Sequence, residues 1–299
     1  MKAIWSFWTK PFKAYYHSAW LSDRHHLLAW VLSLETAKKH YPKTYLFTDD
    51  DGAKLLIDGV GLEFNHVCTD LNALNEQDPE WWALGKLYTY RAQTEPFVHI
   101  DNDVFLWKPL PERVESAPVF AQNPEYLDID WGYKPEEFRD CVKSVSGGWI
   151  PEEFEWYTSR AALQRGECCG IFGGTQLDFI QYYADAAMKI VEHPINQAAW
   201  PLLDSKVTRN HLVEQYLLAA CIDYHKNKQS SPYRNINIQY LFNSFDDAFN
   251  PENAREVGYT HLLGSSKRNR EIAVRLENRV KQDYPEYYER CLSKWANLN

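Results

Sequence analysis

Between residues 3 and 100 the chain alternates short, β-prone apolar runs with longer segments of helical period. That pattern admits little besides a mostly parallel sheet joined by crossover helices. Residues 3–8, 44–48, 62–67 and 97–100 read as strands. Ser22 or Asp23 is placed to cap a helix over 24–40, because Leu27, Leu28, Val31 and Leu34 fall on one face and Pro42 follows its end. Asp49, Asp50, Asp51 and Gly52 carry turn chemistry, a short helix spans 53–58, and a further helix covers 79–93. The later part is less regular, with strands expected at 119–121, 167–174, 236–241 and 257–261. Helices are expected at 175–192, capped by Thr175, and at 209–224 and 269–282. Residues 123–165, rich in Pro, Glu, Trp and Tyr, have the character of a substrate-specific loop region. No linker-like Gly/Ser/Pro segment divides 1–299, so a single α/β domain is expected.

Composition excludes several classes of function. A net charge of −9, with Lys267, Arg268 and Arg270 forming the one basic cluster that stands out, argues against holding nucleic acid through its phosphates. A nucleotide diphosphate remains an option when a divalent cation supplies the counter-charge. No apolar run approaches the roughly 18 residues of a membrane span, and the N-terminal residues lack a signal-peptide core. The six cysteines are scattered without metal-ligand spacing, which fits free thiols in a reducing cytoplasm. The 15% aromatic content suits stacking platforms for sugars and bases as well as a core.

The chemistry concentrates at Asp101, Asn102 and Asp103. An apolar strand that stops at two carboxylates one residue apart sets both at the carboxyl edge of a sheet, where open α/β folds bind ligands. A hard cation, Mn²⁺ or Mg²⁺, takes such carboxylates and completes its shell with diphosphate oxygens and water. The plain alternative is an Asx turn using Asp and Asn for local hydrogen bonds.

Strand, Asp101-Asn102-Asp103 and the apolar Val104-Phe105-Leu106 together resemble the DxD segment of the GT-A nucleotide-sugar glycosyltransferases. Near the C-terminus, His261, Gly264 and Lys267 have the spacing HxxGxxK, similar to the family 8 retaining enzymes such as glycogenin and the lipopolysaccharide galactosyltransferases. The resemblance implies a Rossmann-like GT-A fold with a mixed, mostly parallel sheet flanked by helices. Residues 1–110 would form a nucleotide-sugar-binding half, and 111–299 an acceptor-binding half ending in the metal and phosphate motif. His261 would join Asp101 and Asp103 as a metal ligand, with Gly264 and Lys267 at the diphosphate. An imidazole suits Mn²⁺, a glycine lets backbone approach phosphate, and a lysine ammonium offsets the charge of the leaving group.

Further segments follow the same plan. Lys86, on the helix before the DxD strand, is a candidate donor contact, with a solvated helix lysine as the alternative. Ser6 and Trp8, at the end of the first strand, are candidates for bonding and stacking on uracil, against plain core packing. Glu214 and Gln215 resemble the acidic-Gln pair beside the sugar in family 8 enzymes, which have Asp where this chain has Glu214. A retaining transferase needs a polar group beneath the anomeric carbon, and either side chain offers one. Residues 170–174 resemble the strand and turn flanking the acceptor site, with Cys169 where Asn or Asp is usual.

The resulting expectation is transfer of a hexose from a nucleotide diphosphate sugar, UDP-linked, to a hydroxyl of a glycan, lipid-glycan or protein acceptor. Mn²⁺ or Mg²⁺ would be the cofactor, and the family 8 likeness favours retention. Inversion would require a carboxylate base, for which Asp178, Asp204 and Glu214 are the candidates. The rival enzyme class is a nucleotidyltransferase or sugar-nucleotide pyrophosphorylase, but these open with a glycine-rich loop after the first strand, and 6–11 contains no glycine. The rival outside enzymes is a carbohydrate-binding protein retaining the fold.

Overall fold

The computed structural model describes residues 1–14, 19–127 and 133–298, so residues 128–132 of the irregular middle stretch lie outside the described residues. In chain order the strands are β1 (Lys2–Phe7), β2 (Thr44–Thr48), β3 (His66–Cys68), β4 (Phe97–Ile100), β5 (Val104–Leu106), β6 (Val119–Ala121), β7 (Pro124–Tyr126), β8 (Arg165–Glu167), β9 (Ile171–Gly174), β10 (Ile238–Tyr240) and β11 (Tyr259–His261). The fold is mixed α/β, with mostly parallel strand pairs and helices flanking them. Contacts divide the chain into two compact units. The first comprises Met1–Pro79, Phe97–Leu110 and Pro251–Asn299; the second comprises Glu80–Pro96 and Pro111–Asn250. Residues 80–96 group with the later unit, and the C-terminal segment from 251 groups with the first.

In the first unit β4, β1, β2 and β3 pair side by side, all parallel, with Ala3 opposite both Thr44 and Val98. A parallel sheet needs cover on both faces, and β1 and β4 accordingly bury their apolar residues: Ala3, Ile4, Trp5, Phe97, Val98 and Ile100 are fully buried. The helix Asp23–Lys38 is buried almost all round, as a helix sandwiched between other elements must be. Two of its buried polar side chains tie it to neighbouring elements. Ser33 Oγ accepts from the Trp5 indole at 2.9 Å and donates to the Asp101 carbonyl at 3.1 Å, while Thr36 Oγ1 accepts from Leu106 N at 3.1 Å. Each large apolar side chain so buried contributes about 1.5–3 kcal/mol over its exposed state.

A separate antiparallel ribbon joins β5 to β11, with His261 opposite Val104 and Tyr259 opposite Leu106. In the second unit β6 pairs parallel with β10 and antiparallel with β9, and β7 pairs antiparallel with β8.

Several local readings are corrected. Asp49 is the N-cap of a helical turn over Asp50–Ala53, accepting from Gly52 N, and a π-helix over Lys54–Val60 follows it. The segment 167–174 is two strands, because backbone at 168–170 turns between β8 and β9. Thr175 does not cap the next helix: its Oγ1 donates to the Ala117 carbonyl, and Gln176 is the N-cap of Leu177–Glu192. The segment read as a helix over 209–224 contains a π-helical stretch, Leu212–Tyr216, between α-helices Lys206–His211 and Leu217–Asn227. After the helix Arg270–Asp283 another begins at Pro285 and runs to Leu298; proline at its start lacks an N–H that would have no helical partner anyway. Among the described residues no helix is long and apolar enough to cross a membrane.

Candidate metal centre and associated polar clusters

β4 ends at Ile100, and Asp101 to Val104 forms a turn closed by Val104 N donating to the Asp101 carbonyl at 3.0 Å. The turn leads the chain into β5. Because β5 pairs with β11, Leu262 N donates to the Asp103 carbonyl at 2.9 Å, and His261 is held beside the Asp103 side chain. The donor atoms of Asp101, Asp103 and His261 lie within 4.8 Å of one another. The fold therefore brings together the three residues that the resemblance named as metal ligands.

Asp103 is the buried member of the three. His261 Nε2 stands 3.4 Å from its Oδ1, and Lys267 Nζ stands 2.5 Å from its Oδ2. Burial alone would push this carboxyl up, but the nearby Lys267 and His261 outweigh it and hold the acid well below the usual carboxylate range. Asp103 is thus an anion at neutral pH. Its Oδ1 is buried and makes no hydrogen bond among the described residues. Two carboxylates, one with an oxygen lacking a hydrogen bond, and an imidazole form a donor set that fits a hard divalent cation with borderline nitrogen tolerance, such as Mn²⁺.

Behind this front lie two histidines, His99 and His26, that are absent from the expectations drawn from sequence. His99 stands 3.6 Å from Asp101 Oδ1 through Nδ1, while its Nε2 is hydrogen-bonded to Ser6 Oγ at 2.9 Å. Ser6, assigned to base recognition from sequence, thus directs its hydroxyl at His99. The signal for His99 was present: two residues before Asp101 on a strand is the same face. His26 is buried among Phe7, Phe12, Trp20 and Trp30, and its Nε2 accepts from the Trp30 indole at 2.8 Å. Burial, assisted by Lys267 and opposed by Asp103, lowers its pKa to about 3, so it is a neutral neighbour. Trp8 is 5% exposed, and its indole N–H has no partner among the described residues. The same holds for the Asn102 amide nitrogen.

Gly264 opens the 3₁₀ turn Gly264–Arg268 with φ +50, a left-handed conformation that favours glycine. A Cβ built there would meet nothing within 4 Å, so there is space on that side. Lys267, on the same turn, also lies over the Trp20 ring at 5.5 Å.

The remaining assigned residues lie in the second unit. Lys86 Nζ is 3.0 Å from Glu214 Oε1 and donates to the Cys169 carbonyl at 3.4 Å. Tyr90 Oη also donates to Glu214 Oε1, at 3.2 Å. Glu214 is fully buried, whereas Gln215 is 9% exposed. Both belong to the π-helical stretch, where a widened turn frees backbone carbonyls, and Tyr183 Oη donates to the Glu214 carbonyl at 2.5 Å. Lys86 thus has an internal partner in the acidic residue of the pair. Cys169 is buried, with its thiol donating to the Glu167 carbonyl.

The chain belongs to a family of unknown function, DUF6734, whose model matches residues 1–294. No curated protein matches the sequence.

Proposed function

We propose that the chain is a metal-dependent glycosyltransferase on a GT-A fold, moving a hexose from a UDP-linked sugar to an acceptor hydroxyl, with retention. The observation that supports it most is the meeting of Asp101, Asp103 and His261 with Lys267 at one turn, from two motifs far apart in sequence. A divalent cation held by the three ligands would supply counter-charge for a diphosphate. Lys267 adds a second positive group, able to exchange its carboxylate partner for a phosphate oxygen. The space beside Gly264 suits close approach of an oxyanion to backbone. His99, hydrogen-bonded to Ser6, stands 3.6 Å behind Asp101, within reach of acting as the outer partner of a metal ligand.

Of the Glu214–Gln215 pair, Gln215 is the one we assign to the sugar, since Glu214 is closed off by Lys86 and Tyr90. In this reading its amide supports charge developing at the anomeric carbon. Six unpaired cysteines are in keeping with a cytoplasmic setting.

The test is a donor screen with a binding control. With Mn²⁺, purified protein should hydrolyse at least one UDP sugar slowly in the absence of acceptor. UDP at 100 times its Kd should add about 2.7 kcal/mol to stability only when the cation is present. An equal thermal shift in excess EDTA would overturn the metal assignment, and the absence of turnover with every donor would overturn the transferase.

A further inference from the structure

Tyr133 precedes the helix Pro135–Ser144, and its ring is buried in the second unit. Its hydroxyl faces two oxygens: Glu125 Oε2 at 2.8 Å and Gln215 Oε1 at 2.5 Å. The position is built. Glu125 on β7 is the register partner of Gly166 on β8, and a Cβ on Gly166 would fall 2.2 Å from the Tyr133 oxygen. Only glycine at 166 leaves room for the hydroxyl beside the carboxylate.

A phenol carries one proton and cannot satisfy two acceptors at once. Burial and the neighbouring Glu125 raise the Tyr133 pKa well above its ordinary value, so that proton stays on. A 180° turn of the Gln215 amide leaves its outline unchanged and resolves the conflict. The amide N–H then donates to Tyr133 Oη, and Tyr133 O–H donates to the Glu125 carboxylate. The opposite end of the amide, which makes no hydrogen bond with the described residues, becomes the carbonyl oxygen.

We infer that Tyr133, backed by Glu125, is a positioning residue that turns the Gln215 amide so that its carbonyl oxygen, rather than its N–H₂, faces the ligand. A carbonyl oxygen accepts hydrogen bonds from sugar hydroxyls and stabilises positive charge at an anomeric carbon; an amide N–H₂ does neither. The inference rests on the assignment of Gln215 to the donor sugar for its catalytic consequence, while the amide orientation stands on the local geometry alone.

Two measurements separate these. By NMR, the Gln215 side-chain N–H₂ signal, identified by its loss in Q215A, should be split by one slowly exchanging proton in the wild type and lose that protection in Y133F. An unprotected signal in the wild type, or one unchanged in Y133F, overturns the orientation whether or not the protein is a transferase. On a donor found in the screen, Y133F should lower kcat about tenfold with little change in KM, the size expected for one hydrogen bond. In a Q215A background the same substitution should cost no further activity, because Tyr133 acts through Gln215. Multiplicative losses in the double variant would mark Tyr133 as merely structural and overturn the inference. G166A, which displaces the hydroxyl without deleting it, should reproduce the Y133F signal change if folding is retained.

Discussion

Each unit carries a lysine–carboxylate pair at its polar centre, and the two pairs differ in what surrounds them. In the first unit Lys267 is 21% exposed on a 3₁₀ turn, and its partner Asp103 has Asp101 and His261 within reach. In the second unit Lys86 is 13% exposed and Glu214 wholly buried, with Tyr90 and the Cys169 carbonyl closing the pair. Both carboxylates keep one oxygen without a hydrogen bond among the described residues. Ligand chemistry is therefore not announced by a buried ion pair or by an orphan oxygen alone. What marks Asp103 is convergence: donor atoms of Asp101 and His261 approach the same point, and Lys267 is the more exposed of the two lysines. The Glu214 carboxylate faces Lys86 and the Tyr90 phenol, which hold a charge in place without offering a second ligand.

The largest expected effect follows from this difference. Lys86→Met strands a fully buried carboxylate and should cost about 3–5 kcal/mol in equilibrium urea unfolding. Lys267→Met leaves the buried Asp103 carboxylate with His261 still 3.4 Å away, and should cost less, about 2 kcal/mol. Comparable losses in the two variants would erase the distinction between a structural pair and an exchangeable one.

The two units should also oppose each other in pH dependence. Glu167, in the second unit, is fully buried, and desolvation raises its pKa to about 7 in spite of Arg165 at 2.9 Å. Between about pH 4.5 and 7 the folded state therefore holds a proton the unfolded chain has lost, and stability falls as pH rises through this window. His26, in the first unit, is lowered to about 3, so the unfolded chain takes up a proton that the folded state refuses, and stability falls as pH drops from about 6.5. The slopes offset each other where the windows overlap. Glu167→Gln removes one of them: wild type minus variant should lose roughly 3 kcal/mol between pH 4.5 and 7.5. A pH-independent difference would show that Glu167 ionises normally.

The smallest effect tests the space at the first site. Gly264→Ala should cost about 1 kcal/mol from its left-handed backbone alone, since no atom lies within 4 Å of the added carbon. If a diphosphate uses that space, the UDP-bound protein should lose more stability than the apo protein does, so that the UDP-dependent increment shrinks. Equal losses in the bound and apo forms would leave Gly264 with a purely conformational role.

Local pattern alone determined a good part of this molecule. Strands 44–48, 97–100 and 119–121 begin and end where the apolar runs do, because short buried parallel strands are continuous hydrophobic stretches bounded by polar residues. The paired aspartates after such a run and the HxxGxxK spacing named Asp101, Asp103, His261 and Lys267, since those residue types carry their chemistry with them. Other features were not legible. The π-helical stretch at 212–216 reads as ordinary helix, because one extra residue in a turn leaves the apolar pattern nearly unchanged. Tyr133 and Glu125 look like any aromatic and any acid in an irregular stretch, and their partnership with Gln215 depends on Gly166 across a strand pair. The distance from Asp103 to His261 is likewise a tertiary fact. It is set by the antiparallel register of β5 and β11, and strand pairing between distant segments is chosen by the packing of the whole core, to which no local window has access.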